Sequence, residues 1–134
     1  MAGRVALDTS FLIDLQRERS RGLAHGAAHA FLQSEPGVEL LLPATALGEF
    51  AEGFDGPDHP VLRAVRELHV ILAIDEETAL RYAGITQTLR ARGTLIGAND
   101  LWIAATCLRY DVPVVTANVA EFRRVPSLRV IGYR

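Results

Sequence analysis

Residues 38–54, VELLLPATALGEFAEGF, place an apolar run directly before a helical pattern. The run at 38–43 does not alternate between apolar and polar side chains, as a strand with one solvated face would. A short, largely uninterrupted apolar run is typical of a strand that is covered on both faces. The helical pattern at residues 44–54 follows it without an intervening loop. This stretch therefore predicts one strand–helix unit of a parallel sheet.

The same alternation of apolar runs and helical patterns continues along the chain. We expect strands at residues 4–7, 38–43, 69–75, 112–117 and 127–133. We expect helices at residues 8–19, 22–33, 44–54, 61–68, 76–93 and 98–110. Thr9 or Ser10 is the expected cap of the first helix, and Gly93 suits a left-handed cap at the end of the fifth. The pattern predicts an α/β fold of three layers (α/β/α), with a central, mainly parallel sheet of roughly five strands.

The composition is that of an ordinary globular protein with one domain, residues 1–134. The net charge of −2 gives no bulk attraction for nucleic acid. All 14 cationic residues are arginine, which excludes chemistry that needs a lysine, such as P-loop phosphate binding or a Schiff base. The single cysteine, Cys107, excludes an internal disulfide and favours a small buried residue in a reducing, cytoplasmic setting. No apolar run reaches the roughly 18 residues of a membrane span.

Acidic and polar side chains follow two of the predicted strands. Asp8 directly follows the first strand, and Thr116, Asn118 and Glu121 follow the fourth. Asp100 lies in the first turn of an otherwise apolar helix, beside the core. Ligands of open α/β sheets bind outside the carboxyl ends of the strands. The sequence therefore gathers several oxygen ligands at one edge of the sheet.

Each of these residues also has a purely structural interpretation. Asp8 could cap the first helix, and Asp100 could compensate the dipole of its own helix. Asn118 and Glu121 could cap and solvate a short helical turn. Glu49 turns away from the apolar face of its helix, so a solvated position is the favoured interpretation for it.

Taken together, the carboxylates indicate a cation. Clustered carboxylates disfavour one another's ionisation and raise one another's pKa values. Oxygen ligands without histidine or cysteine select hard ions such as Mg²⁺ or Mn²⁺. A partly hydrated Mg²⁺ held by carboxylates is a recurrent device for phosphodiester cleavage. Asp100 is therefore interpreted as a residue that serves a metal ion.

Four stretches also resemble a known family: VALDTSFLIDL (5–15), LPATALGEFAEGF (42–54), GTLIGANDLWIAATCL (93–108) and VPVVTANVAEFRRVPSLRVI (112–131). In this order they resemble the four acidic motifs of PIN-domain ribonucleases, and they are most similar to VapC-type toxins of bacterial toxin–antitoxin pairs. The resemblance covers nearly the whole chain. It implies a PIN-like fold and an Mg²⁺- or Mn²⁺-dependent endoribonuclease that cleaves structured RNA, often transfer RNA. It also implies a VapB-type antitoxin as inhibitor and a homodimer.

The resemblance further implies that the core acidic residues, which are catalytic and metal-binding, are Asp8, Glu49 and Asp100. It implies that the supporting hydroxyls are those of Thr9 or Ser10 and of Thr116. At the fourth acidic position, many relatives carry aspartate where this chain has Asn118. Other relatives use an acidic residue three positions on, which matches Glu121. Glu121 is the expected fourth carboxylate and metal ligand, with Asn118 beside it.

Two further features allow more than one interpretation. Arg17, Arg19 and Arg21 could contact RNA phosphates or could form a solvated helix end. His25 and His29 stand one helical turn apart, but no third ligand accompanies them, so ordinary helix positions are favoured. A second hypothesis for the function is a non-catalytic module whose acidic pocket binds a partner protein.

Overall fold

The computed structural model describes residues 3–23 and 26–134. Its centre is a sheet of five strands in the order β3-β2-β1-β4-β5, and every strand pairing is parallel. The strands are β1 (Arg4–Leu7), β2 (Glu39–Pro43), β3 (Val70–Leu72), β4 (Val114–Thr116) and β5 (Val130–Gly132). The predicted parallel α/β/α fold is confirmed.

In the described ranges, seven helices flank this sheet. They are α1 (Thr9–Ser20), α2 (Ala27–Ser34), α3 (Ala44–Ala51), α4 (Pro60–Leu68), α5 (Glu76–Ala91), α6 (Ala98–Arg109) and α7 (Val119–Phe122). None of the helices in the described ranges combines the length and the apolar character that crossing a bilayer would require. The connections are right for a layered fold, because each neighbouring pair of parallel strands is joined through at least one helix.

The core is built around the neighbouring strands β1 and β4 and the apolar helix α6. The side chains of β1 after Arg4 and all those of β4 are buried, as expected for strands covered on both faces. Helix α6 buries six of its residues, including Cys107, whose side chain is fully enclosed. The same continuous apolar runs that predicted the strands therefore form the interior of the protein.

The cap of α1 is Asp8, which the sequence left open as an alternative, and not Thr9 or Ser10. The Asp8 carboxylate accepts a hydrogen bond from the backbone N–H of Phe11 at 3.1 Å. Thr9 is the first residue of the helix and Ser10 is the second. Their hydroxyls donate to the carboxylates of Glu49 and Asp8, respectively. A carboxylate at the end of β1 thus takes over the capping role because it reaches the first turn directly.

Four strands are shorter than predicted: β2 by one residue at its start, β4 with only Val114–Thr116 of the expected 112–117, and also β3 and β5. β3 covers only Val70–Leu72 of the expected 69–75, because its last residue pairs with Pro43, where β2 ends. β5 covers only Val130–Gly132 of the expected 127–133, because its partner β4 is three residues long. The length of a strand is limited by the partner that accepts its hydrogen bonds.

Two helices are shorter than predicted by three residues or more. The expected helix at 22–33 is α2 and begins at Ala27, while the N–H groups of Gly22 and Leu23 bond back to carbonyls in the last turns of α1. The expected helix at 44–54 is α3, and turns follow it from residue 52, where Gly53 is a poor helix former.

Gly93 and Gly84 give a matched test of the end of α5. Gly93 has φ of +66°, and the Gly93→Ala variant should lose about 1 kcal/mol of folding free energy because an L side chain is strained there. Gly84 lies within α5, with no atom close to the position of an added Cβ. The Gly84→Ala variant should gain about 0.5–1 kcal/mol from higher helix propensity. Urea denaturation measures both changes, and a Gly93→Ala protein as stable as wild type would contradict the assigned cap.

Candidate active site

Asp8 is the most enclosed carboxylate of the candidate site, at 2% exposure. It follows β1 and accepts three hydrogen bonds: from Ser10 Oγ at 2.6 Å, Thr116 Oγ1 at 2.5 Å and the Phe11 N–H at 3.1 Å. Burial raises the pKa of Asp8 above its ordinary value, with a smaller contribution from the charge of Glu49, although the three hydrogen bonds oppose the shift. The carboxylate is therefore fixed in position and still short of compensating positive charge.

Two hydroxyls connect Asp8 to the end of β4. Thr116 Oγ1, which donates to Asp8, accepts a hydrogen bond from the Asn118 N–H at 2.8 Å. Ser10 Oγ, the other donor, accepts one from the Ala117 N–H at 3.1 Å. Each hydroxyl thus satisfies a carboxylate and a backbone amide at once. Hydrogen bonds through these hydroxyls therefore connect the carboxyl ends of β1 and β4 around the carboxylate of Asp8.

Glu49 does not occupy the solvated position that its own helix favoured. It is half-buried on α3, and both of its carboxylate oxygens are bound from other helices. Oε1 accepts from Thr9 Oγ1 of α1 at 2.6 Å, and Oε2 accepts from Asn99 Nδ2 of α6 at 3.0 Å. The prediction of a solvated helix face was wrong because it used only the apolar face of α3.

Asn99 is a residue of this site that the sequence analysis missed. Its signal was its place, directly before Asp100 in the first turn of a buried helix. Asparagine is a weak helix former, so its presence inside a first turn needs a reason. Here its amide donates to Glu49 Oε2, whereas Thr9 donates to Oε1.

Asp100 is half-buried in the first turn of α6. Burial, followed in order of size by the charges of Asp8, Glu121 and Glu49, raises the pKa of Asp100 to about 6. The four predicted carboxylates therefore share one electrostatic field, although they come from different elements. Asp100 accepts no hydrogen bond from the described residues, so its oxygens face the site without a protein donor.

Glu121 and Asn118 occupy different surroundings at the fourth position. Glu121 is half-buried on α7, and its charge acts on Asp100. Asn118 is the exposed N-cap of α7, and its side chain makes no capping hydrogen bond. Of the two, Glu121 is the one that adds negative charge to the cluster.

The donor set suits a hard cation, but it is not a closed cage. None of the salt bridges among the described residues involves the four carboxylates. Within the same ranges, no three acidic, histidine or cysteine side chains converge closely enough to enclose a metal ion. Hydroxyl and amide groups donate to Asp8 and Glu49 instead. The site therefore offers concentrated negative charge and oxygen ligands that come from several elements.

The predicted cationic residues lie at the end of α1, all of them exposed. Arg17 lines an open groove of about 370 Å³ with Glu49 and the aromatic side chain of Phe54. Arg19 lines a more apolar groove together with residues of α3 and α4. Of these two grooves, only the one lined by Arg17 also contains a carboxylate of the candidate site, Glu49.

The histidines form no metal site in the described part of the chain. His29 Nδ1 lies 2.7 Å from Glu18 Oε1, which also accepts a hydrogen bond from the His29 N–H. Glu18 thereby caps the start of α2, with its pKa lowered by its bonds to His29 and Ala28 against an opposing effect of burial. His25 lies outside the described residues.

Comparison with known proteins adds an independent finding. The family model for the PIN domain matches residues 5–128. Ribonuclease VapC from Rickettsia bellii is 31% identical over 126 residues, which cover 93% of this chain and 92% of that protein. Ribonuclease VapC1 from Haemophilus influenzae is 30% identical over 128 residues, which cover 92% of each. The solved structure of VapBC-1 from nontypeable Haemophilus influenzae matches with a TM-score of 0.78 and 27% identity, covering 97% of this chain and 98% of that one.

The matched region contains each of the acidic side chains gathered at the carboxyl ends of β1 and β4. Fold, full-length similarity and the family model agree. This chain belongs to the PIN-domain family, among its VapC ribonucleases.

Proposed function

We propose that this protein is the endoribonuclease toxin of a toxin–antitoxin pair and that it hydrolyses phosphodiester bonds of structured RNA, transfer RNA being the expected class. The observation that carries the proposal is the field around Asp100. Burial and three neighbouring carboxylates raise the pKa of Asp100 to about 6 in a protein whose relatives are named ribonucleases. So much uncompensated charge is costly unless a cation is bound there.

Mg²⁺ or Mn²⁺ is the proposed cation, with Asp8 and Asp100 as its main ligands and Glu49 and Glu121 beside them. Mg²⁺ keeps several of its waters and commonly binds through one or two carboxylates and substrate phosphates, so it needs no closed cage of protein ligands. The carboxylates supply oxygen ligands only, and their mutual repulsion at Asp100 favours a bound cation. When bound, such an ion lowers the pKa of a water molecule and neutralises charge on the phosphodiester.

The protein's own contribution is to hold the acidic oxygens in place before RNA arrives. Three donors fix Asp8, and two donors from different helices fix Glu49. Fixed groups need no reorganisation at the moment of reaction, which is the main advantage of a preformed polar site. Asp100 accepts no hydrogen bond from the described residues, so its oxygens are available to a water proton.

Arg17 is the proposed contact for an RNA phosphate next to the reacting one. It shares a groove with Glu49, and a guanidinium binds phosphate oxygens through paired hydrogen bonds. Arg19 and Arg21 extend the same exposed helix end and are proposed to contribute attraction that weakens with salt. The net charge of −2 makes such a local cationic patch necessary for RNA binding.

Cleavage of labelled transfer RNA with Mg²⁺ or Mn²⁺ is the direct test. The Asp8→Asn, Asp100→Asn and Glu49→Gln variants should each lower kcat/KM at least about 100-fold, since a bound metal supplies several kcal/mol of transition-state stabilisation. Glu121→Gln should lower it more than Asn118→Ala, because only Glu121 carries charge. Glu52→Gln, on the exposed end of the same helix as Glu49, should behave as wild type.

The alternative function is an outcome of the same assay. EDTA should stop cleavage by wild type, and excess Mg²⁺ should restore it. If wild type and Asp100→Asn degrade the RNA equally, a contaminating nuclease is responsible. The acidic pocket would then stand as a binding site for a partner protein.

The Asp100→Asn variant should also alter folding stability without metal. The folded pKa of Asp100, about 6, lies above the unfolded value, so its charge destabilises the folded state most fully above pH 6. This penalty fades as the pH falls from 6 towards 4, and it is lost completely only below the unfolded pKa of about 4, where the carboxylate is protonated in both states. In EDTA at pH 7 we expect the variant to be about 1 kcal/mol more stable than wild type, after allowance for solvent screening.

Thermal melts in EDTA at pH 7 and pH 4 measure this difference, and added metal completes the comparison. Wild type should gain stability with Mg²⁺ or Mn²⁺ by mass action, and Asp100→Asn should gain much less. A variant that melts well below wild type in EDTA would make Asp100 a structural residue, and the helix-dipole interpretation would then hold.

The antitoxin partner should answer the same charge. The structural relative is a VapBC complex, and we propose that an antitoxin of this kind inhibits the present chain. Its inhibitory segment should bring an arginine or lysine to Asp8, Glu49 or Asp100, because charge complementarity directs such contacts. Replacing that basic residue by glutamine should release cleavage activity from the complex. A complex with an open pocket and no cationic side chain near it would refute the prediction.

A further inference from the structure

The segment that follows β5 packs against the first two turns of α1. The Tyr133 hydroxyl donates a hydrogen bond to Asp14 Oδ2 at 2.6 Å, and Arg134 Nε lies 2.9 Å from the same oxygen. The Tyr133 ring meets the ring of Phe11 edge-on, with centroids 4.9 Å apart. Three side-chain contacts therefore fasten this segment to one face of α1.

The face of α1 that Tyr133 contacts is also the face that holds Asp8. Ser10 and Asp14 are four residues apart and so lie above one another on the helix. Ser10 Oγ donates to Asp8 Oδ1 at 2.6 Å, and the Phe11 N–H donates to the same oxygen at 3.1 Å. Tyr133 thus contacts the ring of Phe11, whose N–H bonds Asp8. It also bonds Asp14, which lies one helical turn after Ser10, the other donor to Asp8.

The chemistry of the Tyr133 hydroxyl makes it a durable donor. Burial and the bond to Asp14 together raise the pKa of Tyr133 to about 12, against smaller opposing effects of hydrogen bonds with Arg134 and Ser10. The hydroxyl therefore keeps its proton at neutral pH. Asp14 has a side chain with only 20% exposure and receives two donors, and such charge-assisted bonds are stronger than neutral ones.

We propose that Tyr133, through Asp14 and the first turn of α1, is a positioning residue for Asp8. None of the hydrogen bonds in the described residues joins Tyr133 to the four carboxylates, so its effect is transmitted by Ser10 and Phe11. The catalytic consequence rests on the proposed ribonuclease function. The structural consequence, a first turn of α1 held by Tyr133, stands independently of it.

Tyr133→Phe tests the proposal, with Tyr110→Phe as the matched control. Tyr133→Phe keeps the ring on Phe11 and removes the hydroxyl from Asp14. Tyr110→Phe also removes one tyrosine hydroxyl bond, the 3.0 Å bond to the Ala73 carbonyl, in a part of the protein that the site does not use. The two variants therefore separate the loss of any hydroxyl bond from the loss of this one.

Backbone amide exchange measured by NMR supplies a readout that needs no RNA. The Phe11 amide should exchange about fivefold faster in Tyr133→Phe, the factor expected for the loss of one net hydrogen bond. It should be unchanged in Tyr110→Phe. Amides elsewhere in the core should be unaffected in both, because the change is local.

Steady-state cleavage of transfer RNA supplies the second readout. In Tyr133→Phe, kcat should fall about tenfold, a fraction of the roughly 100-fold cost of a 1 Å displacement of a reacting group. KM should stay within a factor of two, since a positioning residue does not contact RNA. Asp14→Asn, which retains an acceptor oxygen for Tyr133, should keep more activity than Asp14→Ala.

Four results would overturn the proposal. The first is a Phe11 amide that exchanges at the wild-type rate in Tyr133→Phe, and the second is an equal effect of Tyr110→Phe. The third is faster exchange at Phe11 with kcat unchanged, and the fourth is a rise in KM alone, which would mark Tyr133 as an RNA contact. If wild type cleaves no RNA, the proposed function fails, and the exchange rates alone decide whether Tyr133 holds α1.

Discussion

The buried carboxylate of Asp8 is the constraint on which the rest of the structure depends. It ends β1, caps α1 through the Phe11 N–H, and joins β4 through the hydroxyl of Thr116. Removing these bonds would leave a helix start, a strand end and a buried charge without partners at the same time. The geometry of the site and the connection of the central strands are therefore one structural problem, solved by one side chain.

Asp75 shows what the same local role costs when it is separated from function. It caps α5 as Asp8 caps α1, but its pKa is lowered to about 2 by bonds from the Thr78 backbone and hydroxyl and by Arg109. Asp8 also receives three hydrogen bonds, and still its pKa is raised. The difference lies in burial and in the charged neighbour, which is Arg109 for Asp75 and the carboxylate of Glu49 for Asp8. Capping alone thus explains Asp75 and leaves the placement of Asp8 unexplained.

The fold was predictable because burial on both faces leaves a mark in each strand separately. The apolar runs of β1, β2 and β4 needed no knowledge of their neighbours to be recognised. The lengths of β3 and β5 were not predictable, because they depend on where a partner strand ends. The burial of a strand can be predicted from its own sequence, whereas its length depends on the partner strand and cannot be predicted in this way.

The same distinction divides the site. The positions of Asp8 and Asp100 follow from their own strand and helix, whereas the bonds of Glu49 come from α1 and α6, which its own helix cannot indicate. Tyr133 and Asp14 are 119 residues apart in the chain, and no local pattern relates them. Side chains that support a site from a distance are visible only once the chain has folded.

The placement of arginine completes the electrostatic design. Every cation in this chain is an arginine, and the arginines that form salt bridges in the described residues pair with Asp14, Asp75, Glu77 or Asp111. None of them pairs with the four carboxylates of the candidate site. A chain that neutralised these carboxylates internally would be more stable but would offer nothing to a metal or to a basic inhibitor. On the proposed function, the uncompensated negative charge of these four carboxylates accounts both for activation by a metal ion and for inhibition by a basic residue of the antitoxin. The metal ion and the basic residue would compete for the same carboxylates.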